Sequence, residues 1–243
     1  MELLSRPTFD HKDRRDIYEY VESNGASDPD RVRRVLGLEP HAFGHHLAIL
    51  KRDSVLVEEG GRLRVAFESG MSEEYEAEGC TFTIRQAREE DLTGLVGAIR
   101  VALETGEDVE AESVADVIDT EGVLLRHNNI ESRVFFVATV SDDVVGWVHL
   151  KHRELKKLNH TAKLTVGVLE QYQGQGIGTR LLERGLEWAA SNGVEKIYNS
   201  VPSSNERGIA FFELRGFKVE AVRKKHYKIN GEYHDEVMMA KEL

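Results

Sequence analysis

Three glycines alternate with other residues in Gly174-Gln175-Gly176-Ile177-Gly178. Before them runs the apolar stretch Leu164-Thr165-Val166-Gly167-Val168-Leu169, and after them Leu181, Leu182 and Leu186 fall on one helical face. Glycine at a strand-to-helix junction permits positive φ and leaves no side chain between backbone and ligand. Successive N–H groups pointing into one concavity at a helix N-terminus form an anion site. The pattern therefore predicts a phosphate-bearing ligand. Spacing narrows the class. A dinucleotide fold asks for G-x-G-x-x-G, but the third glycine comes one residue early, and a P-loop needs a Gly-Lys-Ser/Thr that is missing.

Gln173-x-x-Gly176-x-Gly178 resembles the Q/R-x-x-G-x-G/A signature of the GNAT family of N-acetyltransferases. Downstream, Asn205-Glu206-Arg207-Gly208-Ile209-Ala210-Phe211-Phe212-Glu213-Leu214-Arg215-Gly216-Phe217 resembles that family's N-x-x-A-x-x-x-Y-E-x-x-G-F helix in register. The ending, Tyr227 to Lys241, resembles its closing hairpin. The resemblance covers residues 81–243 and implies an α/β (α+β) fold, a mixed sheet flanked by helices, with acetyl-CoA as cosubstrate and no metal. It also implies that Val166, Gly167 and Val168 pair with the pantetheine arm, and that the Val168 N–H stabilises the oxyanion. By the same resemblance Gln173, Gly174, Gln175, Gly176, Ile177, Gly178 and Thr179 surround the pyrophosphate, while Asn205 and Phe212 meet the CoA arm.

The match fails where acid–base chemistry is expected. Many GNAT enzymes carry a tyrosine acid where this chain has Phe212, and those of the ribosomal-protein and N-terminal type often carry a glutamate base where it has Ser200. A third frequent position for a base falls near Lys163. Substitutes are Tyr227 and His160, then Tyr198 and His149, each of which ordinary packing or a surface position explains better. His149 and His152, three apart on a strand, face opposite sides and make a poor metal pair. The implied reaction is direct acetyl transfer to a primary amine (a protein lysine, a protein N-terminus or a small amine) in a ternary complex. The alternative is a transcriptional regulator that senses acetyl-CoA with little or no turnover.

Elements upstream have another grammar. Residues 10–23 read as a helix stopped by Asn24-Gly25. Ser27 is placed to cap a second helix presenting Val32 and Val35, and Pro40 opens a third with Phe43, Leu47 and Leu50 in one stripe. Two short strands then flank Gly60-Gly61. Three helices and a hairpin resemble a winged helix-turn-helix over residues 1–70, which implies a DNA-facing set of His41, His45 and Arg52 on the third helix and Arg62 and Arg64 on the wing. Against DNA, residues 1–75 hold 11 basic and 15 acidic side chains. A structural or partner-binding role is the competing reading. His45-His46 is set aside as a metal site because adjacent helical residues diverge by about 100° and no third ligand is evident. Residues 71–80, acidic and poor in apolar side chains, read as a linker.

The whole chain, 243 residues at net charge −11, repels nucleic acid except through a local basic patch, and modestly favours a cationic acceptor. With 20 Arg against 12 Lys, the composition fits a salt-loving organism or a strongly acidic mesophilic protein. No apolar run reaches a membrane span and residues 1–10 lack a signal-peptide core, so a cytoplasmic protein without membrane contact is expected. One cysteine, Cys80, rules out an internal disulfide. Both kinds of domain often pair, so a homodimer is a further expectation.

Overall fold

Apolar residues three or four apart drive three short helices at the amino-terminal end: α1 (Lys12–Asn24), α2 (Pro29–Leu36) and α3 (Pro40–Arg52). The computed structural model describes residue 7 and residues 9–66, 72–77, 79–105, 109–128 and 130–243. Residues 1–6 and 67–71, on which parts of the amino-terminal and linker expectations fall, lie outside the described residues. Ile17, Tyr18 and Val21 of α1, Val32 of α2, and Phe43 and Leu50 of α3 close a small core with Leu56 and Leu63. The last two come from a hairpin, β1 (Leu56–Glu59) and β2 (Arg62–Val65), turned by Gly60 and Gly61 at φ 56° and 74°. Two expectations fail here. Asp28, not Ser27, caps α2 by accepting the Arg31 N–H at 2.8 Å, while Ser27 exchanges backbone hydrogen bonds with Leu63. Val35 is 60 % exposed, so the helix buries Val32 alone.

From Glu73 onward the chain builds one nine-stranded sheet. Its strands are β3 (Glu73–Ala77), β4 (Cys80–Gln86), β5 (Arg126–His127), β6 (Glu131–Val140), β7 (Asp143–Arg153), β8 (Thr161–Val168), β9 (Lys196–Pro202), β10 (Lys218–Ile229) and β11 (Glu232–Glu242). The spatial order is β10-β11-β9-β8-β7-β6-β4-β3, with β5 beside β6. Every pairing is antiparallel except β8 with β9. The expected linker is thus in part a strand. Glu73–Ala77 pairs with β4, and Tyr75 stacks on Phe82 at 5.4 Å. Its acidic residues suit a sheet edge, where charge discourages pairing with another chain.

Helices cover both faces because the central strands are apolar on both. On one face α6 (Ile177–Ser191) and α7 (Glu206–Glu213) seal a core containing Val148, Leu164, Leu181, Val201 and Phe212. On the other, α4 (Leu92–Thr105) and α5 (Val109–Glu121) cover Phe135, Val137 and Trp147. No helix of the described residues is long and apolar enough to cross a membrane.

The amino-terminal unit docks on the sheet through α1. Glu22, 4 % exposed, accepts the His127 backbone N–H at 3.1 Å and the Asn128 side-chain amide at 3.2 Å. The Tyr18 hydroxyl donates to the His127 carbonyl at 2.8 Å. Removing the carboxylate strands a buried N–H, which costs about 1–3 kcal/mol. Glu22→Ala is expected to lower the urea midpoint accordingly, and Glu19→Ala, on the exposed side of α1, to leave it in place.

Candidate functional site

The site begins where two strands part. Pairing of β8 with β9 runs Thr161↔Lys196, Ala162↔Ile197, Lys163↔Tyr198 and stops, although β8 continues to Val168 and β9 to Pro202. On its other side β8 stays paired with β7 up to Gly146↔Val168. The Leu169 N–H donates to the Val145 carbonyl at 2.9 Å, which makes that pair the hydrogen-bonded type. Alternation along an antiparallel ladder then ties Gly167 to Trp147 and turns the N–H groups of Val166 and Val168 away from β7, into the opening. The Val168 carbonyl accepts the Gln173 side-chain amide at 2.9 Å. Gly167 is required by packing, since a Cβ there would lie 2.3 Å from the Trp147 ring.

Beyond β8 the chain makes a 3-10 turn (Glu170–Tyr172) and enters the glycines. Gly174 and Gly176 have φ of 81° and 83°, whereas Gly178 is not in the left-handed region, and a Cβ there would meet Phe211 and Val168 at 3.5 Å, an ordinary contact. Tyr172, Gln173, Thr179 and Arg180 donate their N–H groups to backbone carbonyls. Among the described residues, the N–H groups of Gly174, Gln175, Gly176, Ile177 and Gly178 between them donate to no protein acceptor. Five successive donors at the positive end of α6 form a strong anion cradle.

Opening and cradle belong to one cavity of about 530 Å³ that reaches both sheet faces. Val166, Gly167, Val168, Gln173, Gly174, Gly176, Gly178, Thr179, Asn205 and Phe212, the set implied by the family resemblance, line it. The side chains of Gln175 and Ile177 do not: Gln175 accepts from the Cys80 thiol at 2.7 Å, and Ile177 is buried in the core. Asn205 caps α7 through the Gly208 N–H at 2.8 Å. Trp147, Arg207 and Arg215 also line the cavity, though no motif marked them. Arg215 lies over Phe211 at 3.8 Å, with its Nε buried and unbonded. Main-chain donors and two arginines against one lining carboxylate, Glu170, suit a pyrophosphate, and the narrow opening suits an extended arm.

The expected catalytic groups fare unevenly. His160 is exposed, just before the far end of β8 from Val168, roughly 26 Å away at 3.3 Å per residue, so it does not serve this site. Phe212 packs edge-on against Phe211 and Phe217 and supplies no proton. Burial lowers the His149 pKa to about 3, and the ring stacks on Phe135, which marks it as structural. Lys163 pairs with Glu110 of α5.

Tyr227 is buried on β10, and its hydroxyl meets a group that escaped the sequence pattern, Glu236 of β11. Glu236 is 3 % exposed and also receives the Ser200 hydroxyl and the Arg223 guanidinium, the latter at 2.9 Å. Burial raises its pKa, but the Ser200 hydroxyl, the Arg223 and His226 charges and the Tyr227 hydroxyl outweigh that and hold it below the usual carboxylate range. Register places Glu236 and Ser200 on the face of Trp147, across the opening from α7.

In the amino-terminal unit His41, His45, Arg52 and Arg62 are exposed, but Arg52 is paired with Asp53 at 2.8 Å. Arg64 is not a free wing residue, because its guanidinium lies between Glu59 at 3.3 Å and Glu90 at 3.2 Å where the two units meet.

A side chain at Gly176 must adopt left-handed φ, at about 1–2 kcal/mol. Gly176→Ala is expected to weaken calorimetric binding of CoA about tenfold. The melting temperature should also fall by a few degrees, because the free protein bears the left-handed strain even though nothing lies within 4 Å of the added Cβ.

Comparison with known proteins agrees with this geometry. The model of the acetyltransferase (GNAT) family matches residues 104–217. An N-alpha-acetyltransferase of Saccharolobus solfataricus is 30% identical over 174 residues, spanning 68% of this chain and 95% of the relative. A spermidine N(1)-acetyltransferase of Escherichia coli is 26% identical over 115 residues, 47% of this chain and 61% of the relative. Among solved structures, a GNAT-family acetyltransferase of Streptococcus pneumoniae superposes with a TM-score of 0.56 at 22% identity, covering 67% of this chain and 99% of that one. An acetyltransferase of Salmonella typhimurium, solved with its cofactor acetyl-CoA, gives 0.53 at 21%, covering 67% and 94%. With its parted strands, its glycine cradle and its end-to-end match to the archaeal relative, the chain belongs to the GNAT family of acetyl-CoA-dependent N-acetyltransferases.

Proposed function

We propose that the acceptor is the α-amine of a polypeptide, acetylated directly in a ternary complex, and that Glu236 receives it. The observation that carries this reading is the contact between Glu236 and Ser200. Relatives of the N-terminal type often hold a glutamate at the Ser200 position, and here a carboxylate reaches the same place from the neighbouring strand. Among the described residues the buried carboxylates are Glu22, Asp91 and Glu236. Glu22 serves the contact between units, and Asp91 binds Arg85 through both oxygens at 2.7 and 2.8 Å. Glu236 also pairs with Arg223 at 2.9 Å, but it lies on the Trp147 face of the sheet, beside Ser200. The archaeal relative matched nearly end to end is an N-alpha-acetyltransferase, which favours a polypeptide N-terminus over a small amine.

Bound acetyl-CoA supplies the activated acyl group. Val168 directs its N–H into the opening, where negative charge develops on the acyl oxygen. Glu236, an anion at neutral pH, draws the incoming ammonium and takes its proton, directly or through one water; the free amine then attacks the thioester carbon, and as the C–N bond forms the C–S bond breaks and CoA leaves as its thiolate toward water. Tyr227 and Ser200 hold the carboxylate in place. A carboxylate beside the opening supports turnover over mere sensing of acetyl-CoA.

The amino-terminal unit has the element order of a winged helix, yet three cations of its third helix and wing are paired within the chain, Lys51 with Glu58 at 2.7 Å, Arg52 with Asp53, and Arg64 with Glu59 and Glu90, which leaves Arg62 exposed. This supports a partner-binding module over a DNA reader. Mobility-shift titration of the full chain is expected to show no duplex binding tighter than about 10⁻⁶ M, the tight end of the non-specific range.

Glu236→Gln is expected to lower kcat/KM on peptide N-termini by about 10²–10³-fold. Because the carboxyl is held below its usual range, Glu236 stays ionised above that range. Activity near neutrality should therefore rise with pH through loss of the acceptor's own proton, with the limb from Glu236 far below. A loss under about threefold, with acetyl-CoA affinity retained, removes Glu236 from this role.

A further inference from the structure

At the start of α1, away from the transfer cavity, three side chains bring donor atoms together. His11 and Asp13 flank the first turn of α1, and His46 comes from the middle of α3. One donor atom from each lies within 4.8 Å of the other two. The Asp13 Oδ2 is 3.6 Å from His46 Nε2 and 3.9 Å from His11 Nδ1. The two imidazoles stack with centroids 4.3 Å apart and planes inclined by 29°.

We propose that His11, Asp13 and His46 form a binding site for a divalent transition cation of the Zn²⁺ type, with water completing the tetrahedron. A tetrahedral ion with bonds of about 2.0–2.1 Å needs its donors about 3.3–3.4 Å apart. The two Asp13 separations exceed that by roughly 0.2–0.6 Å, and the stacked imidazoles must turn for both lone pairs to meet at one point. Two imidazoles and one carboxylate suit Zn²⁺ or Co²⁺, whereas Mg²⁺ and Ca²⁺ ask for an all-oxygen shell. His46 is 8 % exposed in the small amino-terminal core, where an aliphatic side chain would pack without a polar ring to satisfy. Arg14 touches the ring as well: its Nε donates to His46 Nδ1 at 3.5 Å, leaving Nε2 as the atom that faces Asp13, while its far end binds Asp10 at 2.5 Å. His45 takes no part. It is exposed and meets His46 edge-on at 5.4 Å, so the adjacent histidine is not the partner.

His11 Nδ1 also accepts the Asp13 backbone N–H at 3.1 Å and so caps α1. Metal binding draws on that cap, and in exchange joins the first turn of α1 to α3, the helix whose exposed side carries His41 and His45. The ion would thus act as a clamp on the amino-terminal unit, independent of acetyl transfer.

The test uses the full chain, stripped of metal, titrated with Zn²⁺ by calorimetry and with Co²⁺ by visible absorption, with Mg²⁺ as control. One Zn²⁺ per chain at a dissociation constant below about 10 µM is expected, together with the intense d–d bands of tetrahedral Co²⁺ and a raised melting temperature. His11→Asn keeps an acceptor for the helix cap and removes a ligand. That substitution and Asp13→Asn should each weaken Zn²⁺ binding at least about tenfold, while acetyl-CoA affinity reports that the fold is intact. Zn²⁺ binding weaker than about 10 µM, or tight binding that neither substitution weakens, overturns the assignment.

Discussion

Everything in the transfer site follows from β8 losing its neighbour. As long as β9 runs beside it, the outward N–H groups of β8 have partners. After Lys163↔Tyr198 they have none, and an unpaired main-chain donor away from water is costly enough that a ligand with matching acceptors is drawn in. The same parting lets the chain turn out of β8 into the glycines, where five further N–H groups face the cavity at the start of α6. Donors for a thioester arm and donors for a pyrophosphate are two stretches of one backbone. The packing around them, Trp147 over Gly167 and Phe211 near Gly178, keeps that backbone at the surface of the cavity without filling it.

A cavity passing between two strands gives the two substrates separate entrances. The cofactor side is walled by α7 and its arginines, and the other side by α4, α5 and the Trp147 face. Glu236 belongs to that second side, two strand positions from where relatives often carry a base. A hairpin closing the sheet can hand a carboxylate to its neighbour because residues on paired strands share a face. On the proposed reading, the glutamate missing at Ser200 is compensated in space from the neighbouring strand, where no motif could reveal it.

How much could be read from the chain depended on how local each feature is. The glycine cradle, Val168, Asn205 and the helix around Phe212 form short, ordered motifs, and the structure gathers them into one cavity. Strand and helix positions in the main sheet were legible because apolar periodicity was strong. Failures came where partners are distant. Glu73–Ala77 looks like a linker, since an acidic edge strand lacks an apolar rhythm, and only pairing with β4 defines it. Arg64 looked free because Glu90, beyond the hairpin, is invisible at short range. His160 was a reasonable candidate by residue type, but its place before β8 sets it at the wrong end of that strand. Ser27 yielded its capping role to Asp28 because its backbone is occupied by Leu63.

Amide hydrogen exchange on the full chain, with and without saturating CoA, addresses the unpaired donors themselves. Exchange at Val166, Val168 and Gly174 to Gly178 should slow by at least about tenfold when ligand binds, with amides of β1 and β2 unchanged. If those donors exchange at the same rate in the presence of bound CoA, the backbone does not hold the ligand, and the site is built some other way.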